Sequence, residues 1–411
     1  MVAPLENVTI VEVDSYMAAP SAAALLADLG ATVIKVEPPG GDPARNLGRK
    51  VRLGDDADPN RAAYDFQFDV DNRGKQSVVV DLTTEQGQQV VHRLCETADV
   101  FMNNMLIHRQ ERYGLDPSTL LGVNPRLVHA TLTGYGTQGP EAWRPGYDVT
   151  AFFARSGLYD AMREGEDGEI PMARTAQGDH TTGLALMGAI LAALRLAEKT
   201  GEGQVVETSL YETAIWTQGC DYAVTAVDKR RLRQLTRQTQ VMPTANRYPC
   251  GDGKWIVINS LNGSDWKTFC EVIGREDWLD DDRLQDLRGR FRHMAELVPA
   301  IDDALSARGR DQWGELLDAA GLIWSPVLGL HEVVEDPQAQ ALGLFPTLEH
   351  QTIGEYPTVA PPFRFHTADV RPRHPAPSAG ANTVEILSAA GYDDAQIDQL
   401  AQSGHISTHE A

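Results

Sequence analysis

The sequence predicts an α/β protein: a Rossmann-like parallel-sheet large domain with a smaller α+β domain. Two observations predict it. Short β-branched runs alternate with Ala/Leu-rich helical stretches through the first half of the chain, and the composition changes after about residue 225. At 411 residues the chain also exceeds one ordinary core, so two or three domains are expected.

The chain opens as a β-α-β unit. Residues 8–13 and 32–37 are rich in β-branched side chains and read as strands. Residues 20–29 read as a helix, with Pro20 near its start and Gly30 just past its end. The alternation continues with a strand at 77–82, a helix at 84–98, and strands at 99–102 and 127–133. The turn from Asp14 to Pro20 lacks G-x-G-x-x-G, which removes the dinucleotide fingerprint but leaves the carboxyl ends of the strands open to another ligand. The apolar stretch 181–199 reads as a buried helix stopped by Thr200-Gly201-Glu202-Gly203, followed by a strand at 204–209 and a helix at 210–224. These elements make residues 1–224 the N-terminal part of the large domain. Residues 225–245, with their basic stretch, form a linker. Residues 246–320 form the small domain, with a strand at 254–259 and helices at 266–273 and 294–306. Residues 321–411 return to complete the large domain, with a strand at 325–328 and helices at 333–342 and 381–390.

A composition of 42% hydrophobic and 23% charged residues is that of a soluble globular protein. No run of 18 apolar residues occurs and the first residues lack a basic-then-apolar leader, so no membrane partner and a cytoplasmic location are expected. The four cysteines (Cys95, Cys220, Cys250 and Cys270) are scattered without a C-x-x-C pair, which predicts neither a metal site nor a disulfide framework. A formal charge of −22 excludes nucleic acid as a bulk partner, while a phosphorylated small molecule needs only a local basic pocket.

Chemistry concentrates in Gln177-Gly178-Asp179-His180-Thr181-Thr182-Gly183. Asp179 stands at the mouth of a helix, behind a glycine that lets another molecule approach. The helix N-terminus favours negative charge, which predicts an ionised carboxylate able to attack an activated acyl group. A helix N-cap is the competing reading of the same residue.

Further segments carry a resemblance. They are Gly30-Ala31-Thr32-Val33-Ile34-Lys35-Val36-Glu37-Pro38-Pro39-Gly40, Asp42-Pro43-Ala44-Arg45, Asn72-Arg73-Gly74-Lys75, Asn104 with Arg112-Tyr113-Gly114-Leu115, Gly134-Tyr135-Gly136 and Arg144-Pro145-Gly146-Tyr147-Asp148. In number, order and spacing they resemble the family III CoA-transferases, the group that includes formyl-CoA transferase, carnitine CoA-transferase and the α-methylacyl-CoA racemases. The resemblance runs over nearly the whole chain and puts Asp179 on the family's catalytic aspartate. It implies coenzyme A and acyl-CoA as substrates with a carboxylic acid as acceptor, no permanently bound cofactor, and an interlocked ring-like homodimer. It also implies roles for CoA contacts. Met17 and Ala18 would meet the pantetheine end near the thiol, and Val80, Asp81, Leu82 and Thr83 would line the adenine. Asn104, Met105, Leu106 and Arg112 would hold adenine and phosphates, and Gly146, Tyr147 and Asp148 the pantetheine near Asp179. Relatives often carry a basic residue where this chain has Pro38 and Thr83, which leaves Arg45, Lys75, Arg109 or Arg112 for the phosphates. Gly178 and Gly136 are the candidate oxyanion donors.

Two reactions share this scaffold. The racemases resemble one another in a Gly-His-Asp segment whose histidine works with the aspartate; here the segment is Gly146-Tyr147-Asp148. A phenol, with an ordinary pKa of about 10, is a poor neutral-pH substitute for imidazole. Transfer is therefore expected. The alternatives are an acyl-CoA racemase or isomerase using His180, and a catalytically silent CoA-binding protein.

Overall fold

The computed structural model describes residues 2–53 and 62–408. It forms two compact units: Met1–Tyr159 with Met172–Lys229 and Gln340–Ala411, and Asp160–Pro171 with Arg230–Ala339.

The first unit is built on a seven-stranded sheet. Strands β1 (Thr9–Val13), β2 (Thr32–Glu37), β3 (Gln76–Val80), β4 (Val100–Asn103), β5 (Val128–Thr133) and β6 (Gln204–Ser209) are parallel and lie in the order β3-β2-β1-β4-β5-β6. A short closing strand, Ile406–Ser407, pairs antiparallel with β3. Both faces are covered, so the central strands are apolar on both sides: Ile10 and Met102 belong to one core, Val11 and Phe101 to the other. The chain runs from β1 outward to β2 and β3, then returns to β4 on β1's other side. The loops after β1 and β4 therefore diverge and open a crevice at the carboxyl ends of the strands.

The helices Ala18–Asp28 and Gln177–Thr200 pack together over one face. They cross at Gly183, where a β-carbon would strike Ser21 Oγ and come within 2.8 Å of the Ala18 carbonyl oxygen. The expected buried helix is half-buried. Leu186, Ile190, Ala193 and Ala197 face the core, while Leu184 and Leu196 are exposed. By length and composition this helix could cross a membrane, yet its inner face is committed to the sheet.

The second unit has an antiparallel sheet of β7 (Ala245–Pro249), β8 (Trp255–Asn259) and β9 (Trp324–Val327), with Ile256 and Ile258 facing inward. Helices Asp265–Ile273, Met294–Leu305 and Arg310–Ala319 cover it, and Trp266 stacks on Trp278 with ring centroids 5.7 Å apart. Because β9 pairs with β8, the chain stays in this unit past residue 321 instead of returning there. The helix expected at 210–224 is two helices, Leu210–Thr217 and Gly219–Asp228. The one expected at 333–342 is also two, Leu330–Glu335 and Pro337–Ala341, divided where Pro337 disfavours a helical Asp336. The last expected helix, found as Thr383–Ala389, is followed by another at Asp394–Gln402.

Candidate active site

A cavity of about 450 Å³ opens at the carboxyl ends of the parallel strands in the first unit. Each strand delivers part of its wall. Asp14 to Ala18 follow β1, Pro38 follows β2, and Val80 to Thr83 end and follow β3. Asn104, Met105 and Leu106 follow β4, and Thr133 and Gly134 end and follow β5; Gly146, Tyr147 and Asp179 also line it. Tyr16 and Tyr147 meet edge to face on this wall, ring centroids 5.5 Å apart.

Asp179 is the third residue of its helix and not the cap. The N-cap is Ala176, in the left-handed conformation at φ +69°, and its side chain caps nothing. Asp148 does that work from another segment: its Oδ1 accepts the Gly178 N–H at 3.0 Å. The need for glycine at 178 also differs from expectation. A β-carbon there would collide with Asp148 Oδ1 and the Phe152 ring, so the close approach Gly178 permits is that of the chain itself.

The ionised carboxylate expected at 179 is not what the surroundings favour. Burial, then the Asp148 and Asp71 carboxylates, raise its pKa to about 7, against a smaller opposing effect of His180. Desolvation and two like charges thus place the carboxyl's titration near neutrality. Asp148 is also raised, by burial, while its bonds from the Gly178 and Ala176 N–H groups pull the other way.

His180 points elsewhere. Its Nε2 lies 2.9 Å from Asp71 Oδ1, and the ring lines a separate cavity of about 270 Å³ with Ser21, Leu25 and Arg73. Burial works against its charged form, but Asp71 prevails and raises the pKa.

Several residues named from the sequence are engaged otherwise. Arg45 is forked onto Glu37 at 2.7 and 2.6 Å. Lys75 is buried against Glu12 Oε1 at 2.8 Å and also donates to the Pro20 carbonyl and Asn72. Arg112 lies over the Tyr113 ring, 5.7 Å from its centroid. Arg109, one helical turn earlier, is the arginine on the cavity wall, and its side chain has no partner among the described residues. Asp148 is turned to Gly178 rather than to the cavity wall. The candidate oxyanion donors are both occupied, Gly178 N–H by Asp148 and Gly136 N–H by Thr133 Oγ1 at 2.9 Å. The helix Ala18–Asp28, by contrast, has Met17 as its N-cap with no side-chain cap bond, so its first N–H groups have no side-chain acceptor there, and Ala18 lines the same cavity as Asp179. Reading by residue type missed Asp71, Phe152, Ser15 and Tyr16. Ser15 and Tyr16 lie within the turn already singled out after the first strand, and that turn was their sequence signal.

Fold and cavity define an α/β protein with a cavity at the ends of its parallel strands and Asp179 set into the wall. Comparison with known proteins gives the class. CoA-transferase family III matches residues 5–383. The (R)-2-hydroxy-4-methylpentanoate CoA-transferase of Clostridioides difficile is 33% identical over 97% of this chain and 98% of its own. The succinate–glutarate CoA-transferase of Agrobacterium fabrum is 32% identical over 94% and 95%. Among solved structures, a CAIB/BAIF family protein from Brucella suis superposes with a TM-score of 0.83 at 27% identity, covering 95% of this chain and 100% of that one. The chain belongs to CoA-transferase family III, and it is a CoA-transferase.

Proposed function

We propose that this enzyme moves CoA from an acyl-CoA to a free carboxylic acid through covalent intermediates on Asp179. The observation that carries this reading is the Asp179 carboxyl on the wall of the strand-end cavity, its helix turn pinned by Asp148.

The ionised carboxylate attacks the donor thioester carbonyl, giving a mixed anhydride and CoA thiolate. The thiolate attacks the aspartyl carbonyl of the anhydride, releasing the donor acid and leaving an aspartyl-CoA thioester. The acceptor carboxylate attacks that thioester, forming a second anhydride and freeing the thiolate. Attack of the thiolate on the acceptor's acyl carbon releases the new acyl-CoA and restores Asp179. The N–H of Ala18 is the donor best supported for the developing oxyanion.

CoA is substrate here, with no permanently bound cofactor. Met17, Ala18, Gly146 and Tyr147 take its pantetheine arm, Val80 to Thr83 with Met105 and Leu106 its adenine, and Arg109 its phosphates. The reading assigns Asp148 to support of Asp179. Racemisation would need a second base facing the same carbon. Tyr147 occupies the place resembling the racemase histidine, and His180 faces a different cavity. The acid is of the kind relatives' names suggest, a hydroxy acid or a dicarboxylate. The interlocked homodimer and a cytoplasmic location complete the proposal. The apolar side chains exposed on Leu184, Leu196, Trp216 and Val227 fit burial against a second copy.

The test is exchange of CoA between acetyl-CoA or succinyl-CoA and a panel of acids. Asp179→Asn and Asp179→Ala are expected to lose at least about 10³-fold in rate while still binding CoA. Exchange at wild-type rate in either variant would overturn the proposal.

A further inference from the structure

The loop between β1 and the helix Ala18–Asp28 carries Ser15, Tyr16 and Met17 to the cavity wall shared with Asp179. It holds a costly shape, with Tyr16 in the left-handed region at φ +69° although it is not glycine. Such a conformation persists only where its surroundings hold it. Lys35, buried among Glu12, Asp14 and Asp42, reaches the Asp14 carbonyl at 3.4 Å. Asp42 Oδ1 accepts the Tyr16 N–H at 3.3 Å. Asn104 holds the residue between them at both backbone groups: Oδ1 accepts the Ser15 N–H at 3.3 Å, and Nδ2 donates to the Ser15 carbonyl at 2.7 Å.

Asn104 is itself well placed to do this. It follows β4, next to Asn103, whose Nδ2 donates to the Ala130 carbonyl at 3.3 Å and to Thr131 Oγ1 at 3.1 Å on β5. It therefore joins the β4 end, already tied to β5, to the loop after β1. These are the two loops that part where the strand order reverses.

We propose that Asn104 is a positioning residue that fixes the loop carrying Met17 and Ala18 at the reactive end of the substrate, and is not a ligand of the nucleotide end. This rests on the acyl-CoA reading above. Both ends of the carboxamide are engaged with Ser15, and the loop it holds leads directly into the Ala18 N–H.

An acyl-pantetheine, which lacks the nucleotide, separates the two roles. In Asn104→Ala, kcat/KM is expected to fall about 10–100-fold on acyl-CoA and by a similar factor on acyl-pantetheine, mostly in kcat. Arg109→Ala is expected to affect acyl-CoA alone. Asn104→Asp keeps the acceptor for Ser15 N–H but not the donor, and should fall between wild type and Asn104→Ala on both substrates; it also serves if the alanine variant does not fold. A loss confined to acyl-CoA, or no loss on either substrate, would overturn the proposal. Amide hydrogen exchange at Ser15, Tyr16 and Met17 reads the clamp without activity and should quicken in both variants; unchanged exchange contradicts it. If the wild type itself moved no CoA, the functional reading would fail while the exchange comparison still judged the clamp.

Discussion

Asp148 and Gly178 are joined by a 3.0 Å hydrogen bond from the Gly178 N–H to Asp148 Oδ1, one residue before Asp179. The same Asp148 carboxylate raises the proton affinity of Asp179. One side chain thus both pins the helix turn that carries Asp179 and makes that carboxyl harder to ionise.

These two effects separate by substitution. Asp148→Asn keeps an oxygen acceptor for Gly178 but removes the charge, so the acid limb of kcat/KM should move to lower pH while the plateau changes only a few-fold. Asp148→Ala removes the acceptor as well. It should lower kcat/KM across the pH range by about 10²-fold and stability by about 1–2 kcal/mol, measured by pH-rate profiles and denaturant titration.

The wild-type pH profile follows from Asp179 itself. Its pKa of about 7 means that the proposed nucleophile is lost as pH falls through neutrality. The acid limb of kcat/KM, which reports the free enzyme, should therefore lie near pH 7 rather than in the ordinary carboxylate range.

Stability carries the opposite sign to the usual salt-bridged carboxylate. A group at about 7 when folded and near ~3.9 when unfolded binds more protons in the folded state between those values. Stability from this group is thus lost as pH rises from 4 to 7. Asp179→Asn should be more stable than wild type by about 1–3 kcal/mol at pH 8, after allowance for partial exposure, with the gain shrinking toward pH 4. Thermal unfolding of both proteins at several pH values checks this.

Gly178→Ala tests the crowding behind Asp179. The new methyl would strike Asp148 Oδ1 and the Phe152 ring. A loss of about 1–3 kcal/mol in stability and about 10²-fold in kcat/KM is expected, with CoA affinity much less affected.

Much of the large unit was legible because its signals are local. Strands β1, β2, β5 and β6 are β-branched runs bounded by turn residues, and they form within a residue of where the pattern puts them. Asp179 stood out through its glycine and the apolar helix behind it. What could not be read depends on contacts between distant segments. Asp148 lies 30 residues before Gly178, and the engagement of Lys75 by Glu12 joins residues 63 apart. Asp71, which pairs with His180 and raises the Asp179 pKa, comes from a helix, Phe66–Asn72, that has no strong pattern of its own. The raised proton affinity of Asp179 belongs with these, since burial and neighbouring carboxylates exist only once the chain has folded.

The most direct measurement follows oxygen. An acceptor acid carrying the heavy isotope in its carboxylate is turned over with acyl-CoA, and the enzyme is then digested and the peptide containing Asp179 weighed. Passage through an aspartyl anhydride leaves an acceptor oxygen on the enzyme, so that peptide should gain heavy oxygen at Asp179 only when both substrates are present. Full turnover with no isotope in Asp179 would contradict the account.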